Sequence, residues 1–399
     1  MRRRFTMNKG FTEPLTFNIL SAGTINWTAS DASITKTIEY KLNGGEWVSI
    51  ASNTGSSAPT INVVEGDKIQ FRGINEQYGG IDRWTILYNS FSGSTALFEA
   101  EGNIMSLIYG DGFKNNLTIS STYAFAGLFR DCANLVSAEN LILPATTLTN
   151  YCYYYMFYGC TSLTKAPVLP ATSLTDYCYD SMFIGCTSLT TAPELPATTL
   201  ANGCYQVMFS NCTKLTTAPE LPATTLADYC YQSMFKNCTS LTTVPELPAT
   251  TLAKGCYQVM FNGCTSLTTA PTLPSTILAN SCYQSMFKNC TSLTTAPELP
   301  ATTLTNNCYA YMFNGCISLT TAPELPATTL ANGCYSYMFQ GCTSLNYIKC
   351  LATDISASSC TSNWVSGVAS TGTFVKASSM TSWTTGVSGI PTGWTAQNA

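Results

Sequence analysis

From residue 150 onward the apolar positions recur in blocks of 26. The block ANGCYQVMFSNCTKLTTAPELPATTL (201–226) is typical. Taking its first cysteine as position 0, the equivalents are Cys152, Cys178, Cys204, Cys230, Cys256, Cys282, Cys308 and Cys334, each followed by Tyr at +1, Met at +4, Phe at +5, Cys at +8 and Leu at +11. In Cys204, Tyr205, Met208, Phe209, Cys212 and Leu215 this set forms the expected structural core of one coil. Cys, Met and Cys at 0, +4 and +8, with Tyr and Phe at +1 and +5, make two adjacent apolar stripes at helical spacing. Asn202 and its equivalents two residues before the first cysteine are helix N-cap types, with Lys254 the exception. Gly or Asn at +7, as in Asn211, Asn237 and Gly263, reads as a left-handed stop. The pattern therefore predicts a helix of about two turns. A short extended piece (KLTTAPEL) follows, then a proline-bounded turn and a second short strand.

A 26-residue coil cannot bury its own apolar face, so the period predicts coils stacked in one dimension. Parallel crossovers default to the right hand. Residues 14–112 read differently. PLTFNI, TINWTA, TKTIEYKL, EWVSI, TINVV, DKIQFRG and WTILY alternate apolar and polar positions between turn signals such as Asn43-Gly44-Gly45. Short strands so spaced predict a β-sandwich. The expected organisation is a basic arm (1–13), an all-β sandwich as base (14–112), a right-handed solenoid of coils with a short strand and a short helix each (113–345), and a capping region (346–399). The first coil is degenerate, matching at Ala124, Phe125, Leu128, Phe129 and Cys132, and Trp364, Trp383 and Trp394 would cover the far end.

The block CYQSMFKNCTSLTTAPELPATTL resembles the leucine-rich repeats of the BspA-like family, found in surface proteins of Bacteroidetes and in their phages. The resemblance covers about Ala124 to Leu345, with Met-Phe, the second Cys, Leu and Leu-Pro recurring in register seven times, and the C-terminal STGTFVKASSMTSWTTGVSGIPTGW is similar to the endings of such proteins. The resemblance implies a leucine-rich-repeat solenoid that works as an adhesion or recognition surface and not as an enzyme. Secreted members carry a signal peptide. Here the basic start is followed by FTMNKGFTEPLTF, polar and broken by proline, so no such signal is expected.

Composition narrows the function classes. Only 10% of residues are charged and the net charge is −4, which argues against nucleic acid as a partner. No apolar run approaches the ~18 residues of a membrane helix, so no membrane insertion is expected. Arg2, Arg3, Arg4 and Lys9 form a basic arm that is either solvated or an attachment to an acidic partner. There is no histidine, and no nucleophile elbow or phosphate loop.

The 19 cysteines are the obvious chemical candidates. A spacing of eight along a helix is ~12 Å, beyond disulfide reach. Without CxxC pairs or histidine a metal site is not expected, and no cofactor is. The thiols read as small buried hydrophobes, with a few disulfides near the ends left open. Glu194, Glu220, Glu246, Glu298 and Glu324 share one repeat position, with Val168 and Thr272 in its place elsewhere. A glycosidase pair needs two carboxyls in different environments, whereas a column offers one. A solvated face or weak cation binding remain for it. The Thr216-Thr217 pair and its equivalents are strand-face residues or hydroxyl ladders suited to sugars or ice.

Variation concentrates at +2, +3 and +6, where Tyr154, Tyr155, Tyr158, Tyr311 and Tyr337 add bulk and form the expected recognition surface. The sequence thus predicts a non-enzymatic recognition protein with no catalytic residues. The expected setting is a bacteriophage virion, as a fibre or spike that contacts a host-surface protein or glycan and joins other virion proteins through its N-terminal region. A fibre would be a homo-trimer. A bacterial cell-surface adhesin is the alternative, and a carbohydrate-active enzyme a remote one.

Overall fold

The computed structural model describes residues 9–82 and 85–399, in two compact units, Met1–Pro196 and Ala197–Ala399. Arg2, Arg3 and Arg4 lie outside the described residues, as does the side chain of Lys9.

In the first unit the alternating segments form strands β1 (Leu15–Ile19), β2 (Gly23–Asn26), β3 (Thr28–Ala29), β4 (Thr37–Leu42), β5 (Val48–Ala51), β6 (Thr60–Val63), β7 (Lys68–Arg72), β8 (Gly79–Asp82), β9 (Thr85–Ser90), β10 (Phe98–Asn103) and β11 (Leu135–Ile142). Alternation decides which face is buried: Ile69 and Phe71 of β7 point inward while Lys68 is exposed. Asn43 and Gly44, at φ 50° and 74°, turn the chain between β4 and β5. Six strands make one sheet in the order β11-β10-β1-β7-β4-β5, and smaller sheets pair β2 with β6 and β3-β9-β8. All neighbours in the large sheet are antiparallel except β10 and β11. That exception matters, because β11 is the extended piece of the first coil. Parallel bridges carry its pairing on through Ser137–Lys165 and Lys165–Thr191.

The core runs on in the same way. Phe129 of the first coil stacks on Phe157 at 5.2 Å, and Phe157 on Phe183 at 5.2 Å. At its other side Phe129 meets Phe91 and Phe17, 5.8 and 6.0 Å away, inside the β-rich region. A second column runs from Tyr78 through Phe125 and Tyr153 to Tyr179. Each fully buried ring contributes roughly 1.5–3 kcal/mol of hydrophobic stabilisation.

The helix expected after each N-cap residue is absent. The described residues contain one α-helix, of four residues (Ser106–Tyr109), and it lies outside the 26-residue blocks. Between Asp228 and Cys238 the chain forms consecutive turns instead. Amides of Cys230, Gln232, Met234, Lys236 and Cys238 donate to carbonyls three residues back, those of Ala227, Tyr229, Tyr231, Ser233 and Phe235. The intervening amides of Tyr229, Tyr231, Ser233, Phe235 and Asn237 donate to Lys254, Cys256, Gln258, Met260 and Asn262 of the next coil, at 2.7–3.1 Å. Every second turn has a positive φ at its third residue: Tyr229 57°, Ser233 55°, Asn237 58°. That is the sign pattern of a type II turn and is incompatible with a continuing helix. The apolar spacing of four fits both structures, which is why the stripes looked helical. The residues expected as N-caps serve the stack: Asp228 Oδ1 accepts the Lys254 amide and Asn280 Oδ1 that of Asn306.

The second unit repeats this turn ribbon. Its phenylalanines Phe209, Phe235, Phe261, Phe287, Phe313 and Phe339 stack at 5.7–5.8 Å, within 10° of parallel. The expected strands shrink to single parallel bridges, such as Thr217–Thr243 and Thr269–Thr295. Proline two residues after the bridging threonine removes the next donor a ladder would need. Longer strands come only at the end, where β12 (Tyr347–Cys350), β13 (Thr373–Lys376) and β14 (Thr395–Asn398) form a parallel sheet. The ribbon also extends one coil beyond the Met-Phe signature. Cys360, Ser362, Trp364 and Ser366 accept from Tyr335, Tyr337, Phe339 and Gly341, and Ser359, Asn363 and Gly367 have positive φ. There Trp364 takes the place of methionine and packs against Tyr335, Phe339, Phe374 and Trp383.

Candidate recognition surface

The ribbon assigns each side chain an address. Positions 0, +1, +4, +5, +8 and +11 are buried, with Cys204, Met208, Phe209, Cys212 and Leu215 at 0% exposure and Tyr205 at 1%. Positions −1, +2, +3 and +6 vary from coil to coil: Tyr154, Gln206, Tyr311 and Tyr337 reach the outside in part, whereas Gly203, Ser181, Ser210 and Ser336 are buried. Two of these, −1 and +3, carry positive φ. Glycine, asparagine and serine occupy many of them, as left-handed backbone prefers. Tyrosine at such a position costs about 1 kcal/mol or more, yet Tyr123, Tyr151, Tyr155 and Tyr177 all sit there in the first unit.

These tyrosines form one cluster. Tyr123, Tyr151 and Tyr177 stack in succession at 4.9 and 5.0 Å, turning their edges outward. Tyr154 meets Tyr155 edge-on at 4.3 Å and Tyr151 at 5.5 Å. Tyr155 and Tyr158 pack together and, with Tyr88, surround the guanidinium of Arg130 at 4.7–5.2 Å. Arg130 also pairs with Asp131 at 3.4 Å. Two of the expected recognition tyrosines, Tyr155 and Tyr158, thus have ring faces on a cation, while Tyr154 lies half-buried between them and the −1 column. Nearby, Asp180 is buried, with Ser181 Oγ donating to its carboxylate at 2.6 Å. Burial pushes its carboxyl up to about 7, opposed only in part by that hydrogen bond.

The second unit carries a different surface at the same addresses. Gln206, Gln232, Gln258 and Gln284 form a side-chain amide ladder with N–O distances of 2.6–2.8 Å. Tyr311 and Tyr337 stack at 4.6 Å, and Lys288 stands over Tyr311. Lys254 stands over Tyr229, whose ring occupies the space beside Gly255.

All 19 cysteines are free and buried. The +8 thiols hydrogen-bond: those of Cys160, Cys238, Cys264 and Cys316 donate to the carbonyls of Phe129, Phe209, Phe235 and Phe287 in the preceding coil at 3.0–3.1 Å. Burial pushes their pKa values well up, so the donating form persists. Among the described residues no three of Cys, Asp or Glu converge as a metal site. Glu220, Glu246, Glu298 and Glu324 are exposed; Glu246 accepts from Thr272 and Glu324 pairs with Lys349. The exposed threonines 294, 295, 320 and 321 line a shallow groove. An open cleft of about 690 Å³ in the first unit is lined by Thr37, Ile74 and Tyr109 among others. Its carboxylates Glu39 and Asp111 both bind Arg72 at 2.7 Å. No helix among the described residues is long and apolar enough to cross a membrane.

Residues 112–242, 204–304 and 256–366 match the family described as BspA type leucine rich repeat region, in six copies. The chain belongs to that family. The match takes in well over half of its length and includes the coil at Cys360. Searches of curated proteins and of solved structures return no match. In this BspA-type repeat the leucines at +11 are one column among six, and the sulfur and aromatic columns fill the rest of the interior.

Sequence reasoning missed the −1 column, the Arg130 cage and the burial of Asp180. The first had a signal: at −1 the repeat uses Gly203, Gly255, Gly333, Asn307 and Ser281, a set that marks left-handed backbone as clearly as +7 does. Arg130 and Asp180 had none, because the tyrosines around Arg130 come from the next coil and the β-rich region, and the burial of Asp180 is set by the packing around it.

Proposed function

We propose that this BspA-type repeat protein is a non-enzymatic recognition protein whose contact surface is the turn ribbon. The observation that carries this reading is the division of addresses. Positions +2, +3 and +6 change from coil to coil over an interior that does not, and tyrosines stand at left-handed positions where glycine costs least. Stacked coils then form a right-handed leucine-rich-repeat solenoid, with the β-rich region as a sandwich base and residues 346–399 as a cap.

The setting we propose is a bacteriophage virion, where the protein serves as a fibre or spike. The basic arm Arg2, Arg3, Arg4 and Lys9 would hold it to other virion proteins, and a host-surface protein or glycan would meet the ribbon. The full chain, fluorescently labelled, should bind intact Bacteroidetes cells. The Tyr154→Ser/Tyr337→Ser variant should bind at least roughly tenfold more weakly while its circular dichroism stays unchanged. Unchanged binding would remove the ribbon from the contact, and no binding to any cell would leave a purely architectural protein. Detection of the chain in purified particles decides the virion setting.

A further inference from the structure

The charged groups of the ribbon divide by unit. The first holds three acids, Asp131, Asp176 and Asp180, and one cation, Arg130, which is enclosed by tyrosines and paired with Asp131. In the second, Lys236, Lys254 and Lys288 stand against a single acid, Asp228. Asp228 accepts the backbone amide of Lys254. None of the three lysines joins an ion pair among the described residues. In a chain of net charge −4 this is a local excess of positive charge. The glutamates of the second unit occupy another stretch of each coil, at +16.

What lies between the lysines is periodic. Gln232, Gln258 and Gln284 pass a hydrogen bond from coil to coil. Gln232 and Gln258 each use one N–H and one oxygen lone pair in the ladder and Gln284 one lone pair, and an amide has two of each. A row of identical groups, repeated at the coil spacing of ~4.8 Å, suits a ligand that is itself a linear repeat. The rings here already have faces in use. Tyr311 and Tyr337 cover each other, and ammonium groups stand 5.5 Å from the centre of Tyr229 and 5.2 Å from that of Tyr311. Their edges, with the amides and lysines, offer donors for hydroxyl and carboxylate oxygens.

We infer that the Lys236–Lys254–Lys288 ribbon binds a linear anionic polysaccharide whose sugars carry carboxylates. The inference rests on the recognition reading above and gives that surface a ligand class.

The test is titration of the full chain with oligogalacturonate, and with dextran, poly-L-glutamate and single-stranded DNA as the neutral, acidic-peptide and nucleic-acid alternatives. Oligogalacturonate should bind, and weaken as salt rises from about 50 to about 500 mM. K236Q/K254Q/K288Q should lose at least roughly tenfold in affinity, the corresponding arginine variant should retain it, and Gln at Glu220, Glu246, Glu298 and Glu324 should not reduce it. Equal binding by the triple glutamine variant overturns the inference, as does equal or tighter binding of dextran, polyglutamate or DNA. Absence of oligogalacturonate binding by a chain that still binds cells also overturns it, and leaves the recognition reading standing.

Discussion

The thiol of Cys264 donates a hydrogen bond to the carbonyl oxygen of Phe235, 26 residues before Phe261, across 3.1 Å of dry interior. The same carbonyl accepts the amide of Cys238 in its own coil. One oxygen thus closes a turn and receives the next coil, and the cysteine acts as a structural donor.

This arrangement sets the response to alkali. Burial raises the thiols of Cys230, Cys282, Cys290 and Cys342 from 9.0 to about 12. A folded-state value above the unfolded one means stability is complete below pH ~9 and falls as pH rises toward ~12, by about 1.4 kcal/mol per unit for each thiol. The melting temperature should be flat from pH 7 to about 8.5 and drop steeply above. Iodoacetamide should label Cys264 at pH 8 only after unfolding in urea; labelling in the folded state would place that sulfur in water.

Asp180 has an effect of the same sign at lower pH. Its carboxyl is raised from 3.8 to about 7, so the folded state prefers the protonated form. Stability from this group is present below pH ~4 and is lost as pH climbs to ~7. Asp180→Asn should therefore stabilise the protein at pH 8 by about 1–3 kcal/mol, with the gain vanishing below pH ~4. Urea titrations at the two pH values check the sign.

Gly263 sits at φ 76°, and a methyl group there would lie against Oδ1 of Asn237. Asn237 cannot swing aside freely, since its amide donates to Asn211 at 3.0 Å. Gly263→Ala should cost about 1–3 kcal/mol. Adding Asn237→Gly should recover the part due to collision and leave the part due to backbone strain, a split that a double-mutant cycle measures.

Phe235 is held between Phe209 and Phe261 at 5.7 and 5.8 Å and is fully buried. Phe235→Ala should lower unfolding free energy by about 3–5 kcal/mol, as read from denaturant midpoints. A markedly smaller loss would mean that the neighbouring coils close the gap.

Much of the interior was readable from the chain. Tyr205, Met208 and Phe209 stand in register with equivalents 26 residues away, and no arrangement but a stack hides them all. The asparagines and glycines at +7 also announced their left-handed backbone. The local structure between them was misread as a helix, because Cys, Met and Cys four apart fit a helical turn and a pair of successive β-turns equally well. Of the expected recognition tyrosines, Tyr154, Tyr155 and Tyr158 do cluster, but the cation that Tyr155 and Tyr158 hold lies outside the repeat signature.

The amino-acid order alone determined the period, the six inward columns and the turns that require glycine or asparagine, since each follows from spacing and side-chain type. Tertiary structure alone decided that every second amide, such as those of Tyr231 and Phe235, bonds to a carbonyl 25 residues on. It also decided that Arg130 meets Tyr88 and that Asp180 is withdrawn from water. The reason is physical: a hydrogen bond or a buried charge is settled by whichever group lies across the coil boundary, and that neighbour is distant along the chain.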